Sequence, residues 1–508
     1  MTEPQATPEA AAPAAPEVTE AQTSRFQELL QERLTPEIDT KFRPQSNDAR
    51  RRIEEAVDVL AEQALRNVDL VSKNAINSLQ EMIRELDERI SAQVREVIHH
   101  PDFKQLEGAW RGLHHLVMNT ETDEMLKIKV LNISKDELGD TLAKYEGAAW
   151  DQSPIFRKVY TSEYSQFGGE PYGCLVGDYE FSQHPQDVEL LDNLAKVAAA
   201  AHAPFIAGAS PKLFQMESWQ ELMNPRDLTK ITSTVEYASW NSLREREDSR
   251  YVCLTMPRVL ARLPYGAETA PVKEFEFEEN VEGSAHDQYT WMNAAYAMAV
   301  NINRSFKMYG WCSRIRGVES GGVVEKLPVH TFPTDDGGVD MKCPAEIAID
   351  DRREAELSKL GLLPLIHKKG TDMAAFIGAQ TLNKPTEYDD PDATANARLS
   401  ARLPYIFATC RFAHYLKSIA RDKIGSFKEQ DDMQRFLTRW ITNYVDGAPD
   451  TSSEETKARK PLRDARVVVE SDPENPGYYS ARFYLRPHFQ LEGLTASLRM
   501  VSRIERQA

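Results

Sequence analysis

Eleven histidines are the residues of this chain that most readily suggest metal chemistry, and four of them form adjacent pairs, His99 with His100 and His114 with His115. A metal ion needs several ligands that converge on one point. Adjacent helical residues point about 100° apart, so neither pair can chelate an ion from one helix face. We therefore assign no metal ligand.

Asp178 and Glu180 follow a predicted strand, at the position where α/β enzymes place catalytic groups. Two carboxylates one residue apart at a strand end more commonly cap the turn that follows. The acidic loop DDGGVD at 335–340 has too few ligands for a calcium loop and also indicates a turn. We interpret both groups as structural.

The motifs that hold phosphate or activate a nucleophile are missing from the chain. It contains no G-x-x-x-x-G-K-[ST], G-x-S-x-G or H-E-x-x-H sequence. The cysteines are odd in number and form no C-x-x-C pair, which argues against a zinc site and a disulfide framework. They are Cys174, Cys253, Cys312, Cys343 and Cys410. We predict reduced, mostly buried thiols, no cofactor and no enzymatic activity.

Composition limits the partners that this chain can have. Its 508 residues carry a formal net charge of −18, which repels polyphosphate and anionic lipid, so we expect no nucleic-acid binding. No apolar run approaches the length of about 18 residues that spans a bilayer, so we expect no membrane insertion. The first residues also lack the features of a secretory signal, which predicts a cytoplasmic protein.

The elements that would position these residues begin after an acidic, proline-rich stretch. Residues 1–22 have little apolar surface to bury, which is typical of a disordered tail. Residues 23–45 open with TSRFQELLQERL, which predicts a short amphipathic helix and a linker. That helix could dock on its own domain or serve as a linear motif for a partner's groove.

Residues 46–104 have the pattern of a helical hairpin. The first helix is predicted at SNDARRRIEEAVDVLAEQAL, and Pro101 ends the second. The second helix carries an apolar seam whose members are three or four residues apart. The seam consists of Ile76, Leu79, Ile83, Leu86, Ile90, Val94 and Val97. Its length of about three heptads suits either a hairpin or completion by another chain's helix.

Residues 105–390 alternate between strand and helix patterns, which predicts an α/β region. Strands are predicted at MLKIKVLNI, YGCLVGDYEF and PFIAGA, between helices such as QLEGAWRGLHHLV and DVELLDNLAKVAAAA. Further β segments, VKEFEFEENV and VVEKLPVHTF, surround a helix at QYTWMNAAYAMAVNINRSF, and Gly321 with Gly322 indicates a hairpin turn. The acidic, breaker-rich EYDDPDATAN marks a boundary near residue 390.

Residues 391–508 differ from the rest in charge and pattern. Positions 393–445 hold nine Lys and Arg residues against four Asp and Glu. Two helices are predicted there, ARLSARLPYIFATCRFAHYLKSIARDKI and KEQDDMQRFLTRWITNYV, followed by β segments up to the end of the chain. A terminal strand with free edges is readily donated to a neighbour's sheet. The fold class predicted overall is mixed α/β, with a helical hairpin, a central α/β region and a C-terminal helix-plus-β domain.

The features that stand out are therefore surfaces for contact: a tethered helix, an incomplete seam, a basic helical region and an open terminal strand. Their combination suggests a subunit of an assembly. Two alternatives remain, a cytosolic α/β enzyme of unknown substrate and an adaptor with a single partner.

Several long segments closely resemble the large subunit of the type VI secretion contractile sheath, the TssC/VipB family. They include YGCLVGDYEFS, LLPLIHKKGTDMAAFIGAQTLNKP and PGYYSARFYLRPHFQLEGLTASLRMVS, and the resemblance extends from about residue 45 to the C-terminus. It implies a phage-tail-sheath-like fold. It also implies a structural protein that polymerises with a small TssB/VipA-like subunit around a tube of hexameric Hcp-like rings and contracts to propel the tube.

The resemblance further implies roles for particular residues. The seam over 76–97 would pair with the small subunit, and the basic region would face the tube through Lys428, Asp431, Asp432, Arg435 and Arg439. A solvated helix face is the alternative for that last group. A ClpV-type disassembly ATPase would recognise Phe26, Leu29 and Leu30. Strand exchange between neighbouring subunits would involve Tyr479, Phe483, Leu494, Leu498 and Met500. A baseplate would anchor the sheath at the envelope.

Overall fold

The structure is a computed structural model that describes most of the chain. The described residues are 47–52, 75–145, 147–224, 227–273, 275–283, 285–334, 336–424, 429–471 and 479–490; the side chains of 75–82 and of residue 148 are outside the description. The predicted tail, the amphipathic helix with Phe26, Leu29 and Leu30, and Lys428 lie outside these ranges. So do most of the first predicted hairpin helix and the terminal residues Leu494, Leu498 and Met500.

Helices account for a large part of the described chain. The α-helices are α1 (Ala75–His99), α2 (Pro101–Met118), α3 (Lys135–Ala143), α4 (Pro185–Ala201), α5 (Leu228–Thr232), α6 (Ala238–Glu245), α7 (Ala294–Tyr309), α8 (Asp351–Lys359), α9 (Pro391–Ser400), α10 (Leu403–Lys423), α11 (Gln430–Thr442) and α12 (Glu454–Arg459). A helical turn at Pro154–Phe156 continues as a π-helix at Arg157–Ser165. None of the described helices is long and apolar enough to cross a bilayer.

The strands form one larger sheet and three small ones. They are β1 (Leu175–Phe181), β2 (Phe205–Ala209), β3 (Val252–Met256), β4 (Val259–Leu260), β5 (Trp291–Met292), β6 (Val323–Val324), β7 (Thr331–Pro333), β8 (Val339–Met341), β9 (Leu362–His367), β10 (Ala374–Phe376), β11 (Leu462–Ser471) and β12 (Tyr479–Pro487). The larger sheet has the order β1-β2-β3-β9-β10-β6. Its first four strands are parallel, whereas β10 is antiparallel to both neighbours.

The chain divides into two compact units, 1–96 with 273–277 and 97–272 with 278–508. The described part of the first unit consists mainly of helix α1, whose surface carries ion pairs such as Arg84 with Glu88 at 2.8 Å. The second unit contains the sheets and all the remaining labelled helices.

Strands β2 and β3 are buried on both faces of the larger sheet. Because successive strand residues point to opposite faces, Phe205 joins a cluster with α4, whereas Ile206 joins a second cluster with α7. This double burial explains why both strands are continuously apolar in sequence rather than alternating.

Helix α2 packs closely against β5 and α7 because it presents two glycines on one face. Gly108 lies against the main chain of Trp291 in β5, and Gly112 lies against the ring of Tyr296 in α7. Leu116, one turn further along the same face, is buried in this contact. The two glycines thus let the main chain of α2 come close to β5 and α7, and a larger residue at either position would prevent this.

The C-terminal hairpin β11–β12 packs on α10 and α11. Leu437 and Ile441, on one face of α11, are buried with Val467 and Val469 of β11. Trp311 and Phe412 complete this cluster, with ring centroids 4.8 Å apart.

Most of the predicted helices and strands are confirmed, but three of these helix and strand predictions are wrong. Residues 125–133 are extended and form no strand ladder, because the described residues supply no partner strand. The predicted β segment VKEFEFEENV forms no strand ladder among the described residues, and its Glu279 enters a buried ion pair with Arg262 instead. The single helix predicted from 397 is broken between α9 and α10, where Pro404 lacks the N–H that would continue it.

The glycine pair of 321 and 322 forms a turn, but not a hairpin. Gly321 has a φ of 84°, which glycine adopts without strain. Strand β6, which follows the turn, pairs with β10 rather than with a strand before the turn.

We predict that Gly112→Ala lowers the free energy of unfolding by about 1–3 kcal/mol, because its Cβ would overlap the ring of Tyr296. The matched control is Gly139→Ala in α3, whose Cβ would lie 4.0 Å from Leu190. That change should be neutral or stabilising by up to about 1 kcal/mol, because alanine favours helix. Urea unfolding of the full chain followed by circular dichroism measures both. Equal stability of the two variants would contradict the packing argument.

Candidate assembly surfaces

Asp178 and Glu180 lie inside β1, so the hypothesis that they cap a turn is wrong. The cap is Asp187, which accepts a hydrogen bond from the main-chain N–H of Ser182 at 2.8 Å. Burial raises the pKa of Asp178, although hydrogen bonds with Tyr296 and Asn293 oppose the rise. Burial likewise raises the pKa of Glu180, opposed by the guanidinium of Arg258 at 3.7 Å.

Arg258 connects this strand end to a fully buried carboxylate, Glu346. Its Nε donates to Glu346 Oε2 at 2.9 Å, and His286 Nε2 lies 3.2 Å from Glu346 Oε1. Burial alone would raise the pKa of Glu346, but its partners His286 and Arg258 outweigh burial and lower the pKa to about 2. The cluster is therefore an ion-pair network in which both carboxylate oxygens of Glu346 have partners, whereas the buried Nδ1 of His286 has no hydrogen-bond partner among the described residues.

A second buried network holds α2 in place. Arg262 lies between two carboxylates, with Nε 2.7 Å from Glu107 Oε1 and Nη1 2.6 Å from Glu279 Oε2. The two carboxylates hold the pKa of Arg262 above its ordinary value, against the effect of burial. These residues were missed by sequence reasoning, because Glu107 and Arg262 are 155 positions apart and no local pattern links them.

The histidines and cysteines show no arrangement for metal or redox chemistry. His100 caps α2 by accepting from the N–H of Asp102, and His99 lies 3.6 Å from Glu279. Among the described residues no group of three or more His, Cys, Asp or Glu side chains could hold a metal ion. All five cysteines are described and are free thiols; Cys253 and Cys410 are buried and the other three are half-buried, so none of them is exposed.

The predicted seam lies on α1, with its described side chains partly open to solvent. Ile83 is 55% exposed and Val97 57%, Ile90 is exposed, and Leu86 and Val94 are half-buried. Ile76 and Leu79 lie on the same helix, but their side chains are outside the description. The seam thus remains an apolar surface on the described residues of this chain.

Helix α2 has a second apolar face that sequence reasoning did not identify. Phe103, Leu106, Trp110 and Val117 are exposed, and Trp110 reaches 66%. Their spacing of three, four and seven residues places them on one stripe, roughly opposite the face of Gly108 and Gly112. The heptad spacing was a signal that could have revealed the stripe.

The predicted tube-contact residues of α11 share its solvent face. Asp431, Asp432, Arg435 and Arg439 are all exposed, opposite the buried Leu437 and Ile441. Arg435 pairs with Asp432 at 2.8 Å. The two aspartates also occupy the first turn, where negative charge favours the helix.

The strand-exchange residues that are described lie on β12. Tyr479 is exposed and Phe483 is half-buried in a hairpin in which, among the described residues, β12 pairs with β11. The outer edge of β11 is partly covered, because Gln430 and Gln434 of α11 hydrogen-bond the main chain of Val469. The structure thus brings Tyr479 and Phe483 together on one strand.

Two sheath families match this sequence in succession. Residues 80–383 match the family described as VipB: EvpB/VC_A0108, tail sheath N-terminal domain. Residues 392–504 match the family described as VipB_2: EvpB/VC_A0108, tail sheath gpW/gp25-like domain.

A curated relative covers nearly the whole chain. It is the Type VI secretion system sheath protein TssC1 of Pseudomonas aeruginosa, 66% identical over 488 residues, or 96% of each chain. Two cryo-EM structures of the anti-feeding prophage are also similar. Its baseplate is 12% identical, with 62% of this chain and 66% of that chain covered and a TM-score of 0.34. Its helical sheath in the contracted state is 13% identical, with 61% of this chain and 66% of that chain covered and a TM-score of 0.28. Those two TM-scores are too low to define a shared fold.

The network around Glu346 predicts a specific response to acid. Because folding lowers the pKa of this carboxyl from 4.5 to about 2, its contribution to stability is complete above pH 4.5 and is lost as the pH falls towards 2. Glu346→Gln should lower the unfolding free energy at pH 7 by about 3 kcal/mol, since Arg258 loses its charged partner. Between pH 4.5 and 3 the unfolding free energy of this variant should fall less steeply with falling pH than that of the parent chain. The difference in slope should be up to about 1.4 kcal/mol per pH unit.

Urea unfolding at a series of pH values measures this difference. Glu217→Gln, at an exposed glutamate, is the matched control and should follow the parent chain. A Glu346→Gln variant with the parent's pH dependence would show that the carboxyl is not held ionised by folding.

Proposed function

The chain belongs to the VipB family of type VI secretion tail sheath proteins, and from this premise we propose that it polymerises with a small sheath subunit around an inner tube and contracts to propel that tube. Its role as a sheath subunit is structural. The observation that carries the conclusion is the 66% identity to a sheath protein across 96% of both chains.

The mechanical role that we propose needs no catalytic site in this chain. Contraction would draw on two alternative packings between subunits, because packed interfaces switch between discrete states rather than deform continuously. The charged groups of Glu346, Arg258 and His286 bond to one another, which supports a structural rather than a catalytic role for this network. The alternatives of an enzyme and an adaptor gain no support from the described residues.

We propose that α1 is the contact with the small subunit. Its seam is apolar and partly exposed at Ile83, Ile90 and Val97, and a facing helix would bury those side chains. In this proposal residues 46–104 form the outer hairpin, 105–390 the central α/β region and 391–508 the domain that faces the tube.

The remaining partners follow from the same premise. Exposed charges of α11 would touch the hexameric tube protein, since exposed ion pairs are individually weak and release together. Residues 23–45 would bind a ClpV-type unfoldase, and the terminal strands would exchange between neighbours. The sheath would lie in the bacterial cytosol, anchored through a baseplate.

Co-expression with the small protein encoded beside it tests the proposed function. Negative-stain electron microscopy should show hollow tubes. Ile83→Asp with Ile90→Asp should abolish tubes and reduce co-purification of the small protein about tenfold or more, because two charges would be buried in the seam.

The control for the seam is Ala92→Asp, which places the same charge on the opposite, exposed side of α1. It should leave tubes and co-purification unchanged. Tubes from the double variant would exclude the seam as the interface, and a parent chain that forms no tubes would overturn the proposed function.

Charge reversal on α11 tests the tube contact. Arg435→Glu with Arg439→Glu should leave sheath tubes intact but reduce co-sedimentation of the inner tube protein about tenfold, because each weak contact is repeated along the polymer. Arg459→Glu in α12, also at an exposed arginine, is the control. Unchanged co-sedimentation of the double variant would assign these arginines to a solvated face.

A further inference from the structure

A pocket of about 330 Å³ lies between helix α2 and the loops that follow β4 and β6. Three of the residues that line it are cationic, namely Arg111 of α2, Arg262 after β4 and Lys326 after β6. None of the described residues that line it is an Asp or a Glu. We call it the basic pocket. Its volume is within the range of sites that hold small molecules.

Two of the three cations in the basic pocket are balanced by carboxylates. The guanidinium of Arg262 bonds to both Glu107 and Glu279. The Nε atom of Arg111 lies 3.4 Å from Glu107 Oε1, and its Nη2 donates to Tyr265 Oη at 2.9 Å. Two arginines thus face two glutamates, which leaves the charge of the third cation uncompensated.

Lys326 is that third cation. Among the described residues its amino group has neither a hydrogen-bond acceptor nor an ion-pair partner. The preceding residue, Glu325, is exposed and does not line the pocket. The basic pocket therefore has an excess of one positive charge, in a chain whose formal net charge is −18.

The main chain holds Lys326 in an unusual conformation. Its φ of 58° lies in the left-handed region, which residues other than glycine rarely adopt. Before it, Val324 pairs with Ala374 of β10, and after it the N–H of Leu327 donates to Asp372 O at 3.1 Å. The main chain is thus fixed on both sides of Lys326. Unfavourable conformations that the surrounding structure maintains are concentrated at functional sites.

We propose that the basic pocket binds a small organic anion, with a carboxylate or phosphate group at Lys326 and an apolar body against Leu263, Tyr265 and Pro328. A lysine without a protein partner gains charge-assisted hydrogen bonds from such a group. Arg111, whose side chain is 40% exposed, is a second donor beside it. The apolar lining residues favour a ligand with an apolar body over a fully hydrated ion.

NMR titration of the full chain, with the ligand signals observed, tests this assignment. The probes are benzoate and phenyl phosphate, with benzamide as the neutral analogue of benzoate. The two anions should bind with a Kd of about 1 mM, which is typical of ligands of this size, and benzamide about tenfold more weakly. Equal binding of benzoate and benzamide, or no binding of either anion at millimolar concentrations, would overturn the proposal.

Variants of Lys326 separate binding from folding. Lys326→Gln and Lys326→Gly should each weaken benzoate binding about tenfold, whereas Lys326→Arg, which keeps the charge, should stay within about threefold of the parent. Lys326→Gly should also keep or raise the melting temperature, because glycine adopts a positive φ without strain. Lys369→Gln, at an exposed lysine outside the pocket, is the matched control. Binding to Lys326→Gln as tight as to the parent would contradict the role of this lysine.

The carboxylate of a free molecule and that of a side chain from a neighbouring subunit share this chemistry. Titration of tubes assembled with the small subunit distinguishes the two sources. Benzoate binding to the tubes that matches binding to the full chain supports a free molecule. Loss of binding in the tubes would assign the pocket to a neighbouring subunit and overturn the proposal of a free ligand. A failure to form tubes would overturn the proposed function alone, because the titration of the full chain does not depend on assembly.

Discussion

The burial of β2 and β3 between two helical layers is the interaction on which the rest of the structure depends. Phe205 and Ile206 are consecutive in the chain yet enter separate apolar clusters, one with α4 and one with α7. Helices can cover the two faces of such a sheet, but they do not pair with the main chain of its edge strands. Among the described residues, β1 is therefore an end strand of the sheet, and α1 and α2 carry exposed apolar side chains.

Buried charges hold the parts outside that core in position. Arg262 ties α2 to the segment around Glu279, and Arg258 ties the end of β1 to Glu346. Such pairs add little stability compared with apolar packing, but removal of one partner is costly. They therefore favour one arrangement of α2 and β1, which suits a subunit that must present the same surfaces at every position of a polymer.

Helix α2 illustrates how far the sequence could be interpreted. The sequence predicts a helix at QLEGAWRGLHHLV, and in the structure that helix begins earlier, at Pro101, a residue that suits a first helical turn. Its exposed stripe, with Trp110, also follows from heptad spacing once both faces are considered. Its attachment does not, because the glycine contact with Tyr296 and the ion pair with Arg262 join residues more than 150 positions apart.

By itself, the sequence determined the local elements and the family, since helix and strand patterns, caps and long matching segments are properties of neighbouring residues. It also placed the seam of α1 and the charges of α11 on single helical faces. Only the tertiary structure decided that Glu180 lies beside Arg258 and that residues 127–132, despite the alternation typical of a strand, pair with no strand among the described residues. The physical reason is that a strand is completed by a second chain segment, and no local pattern specifies which segment that is.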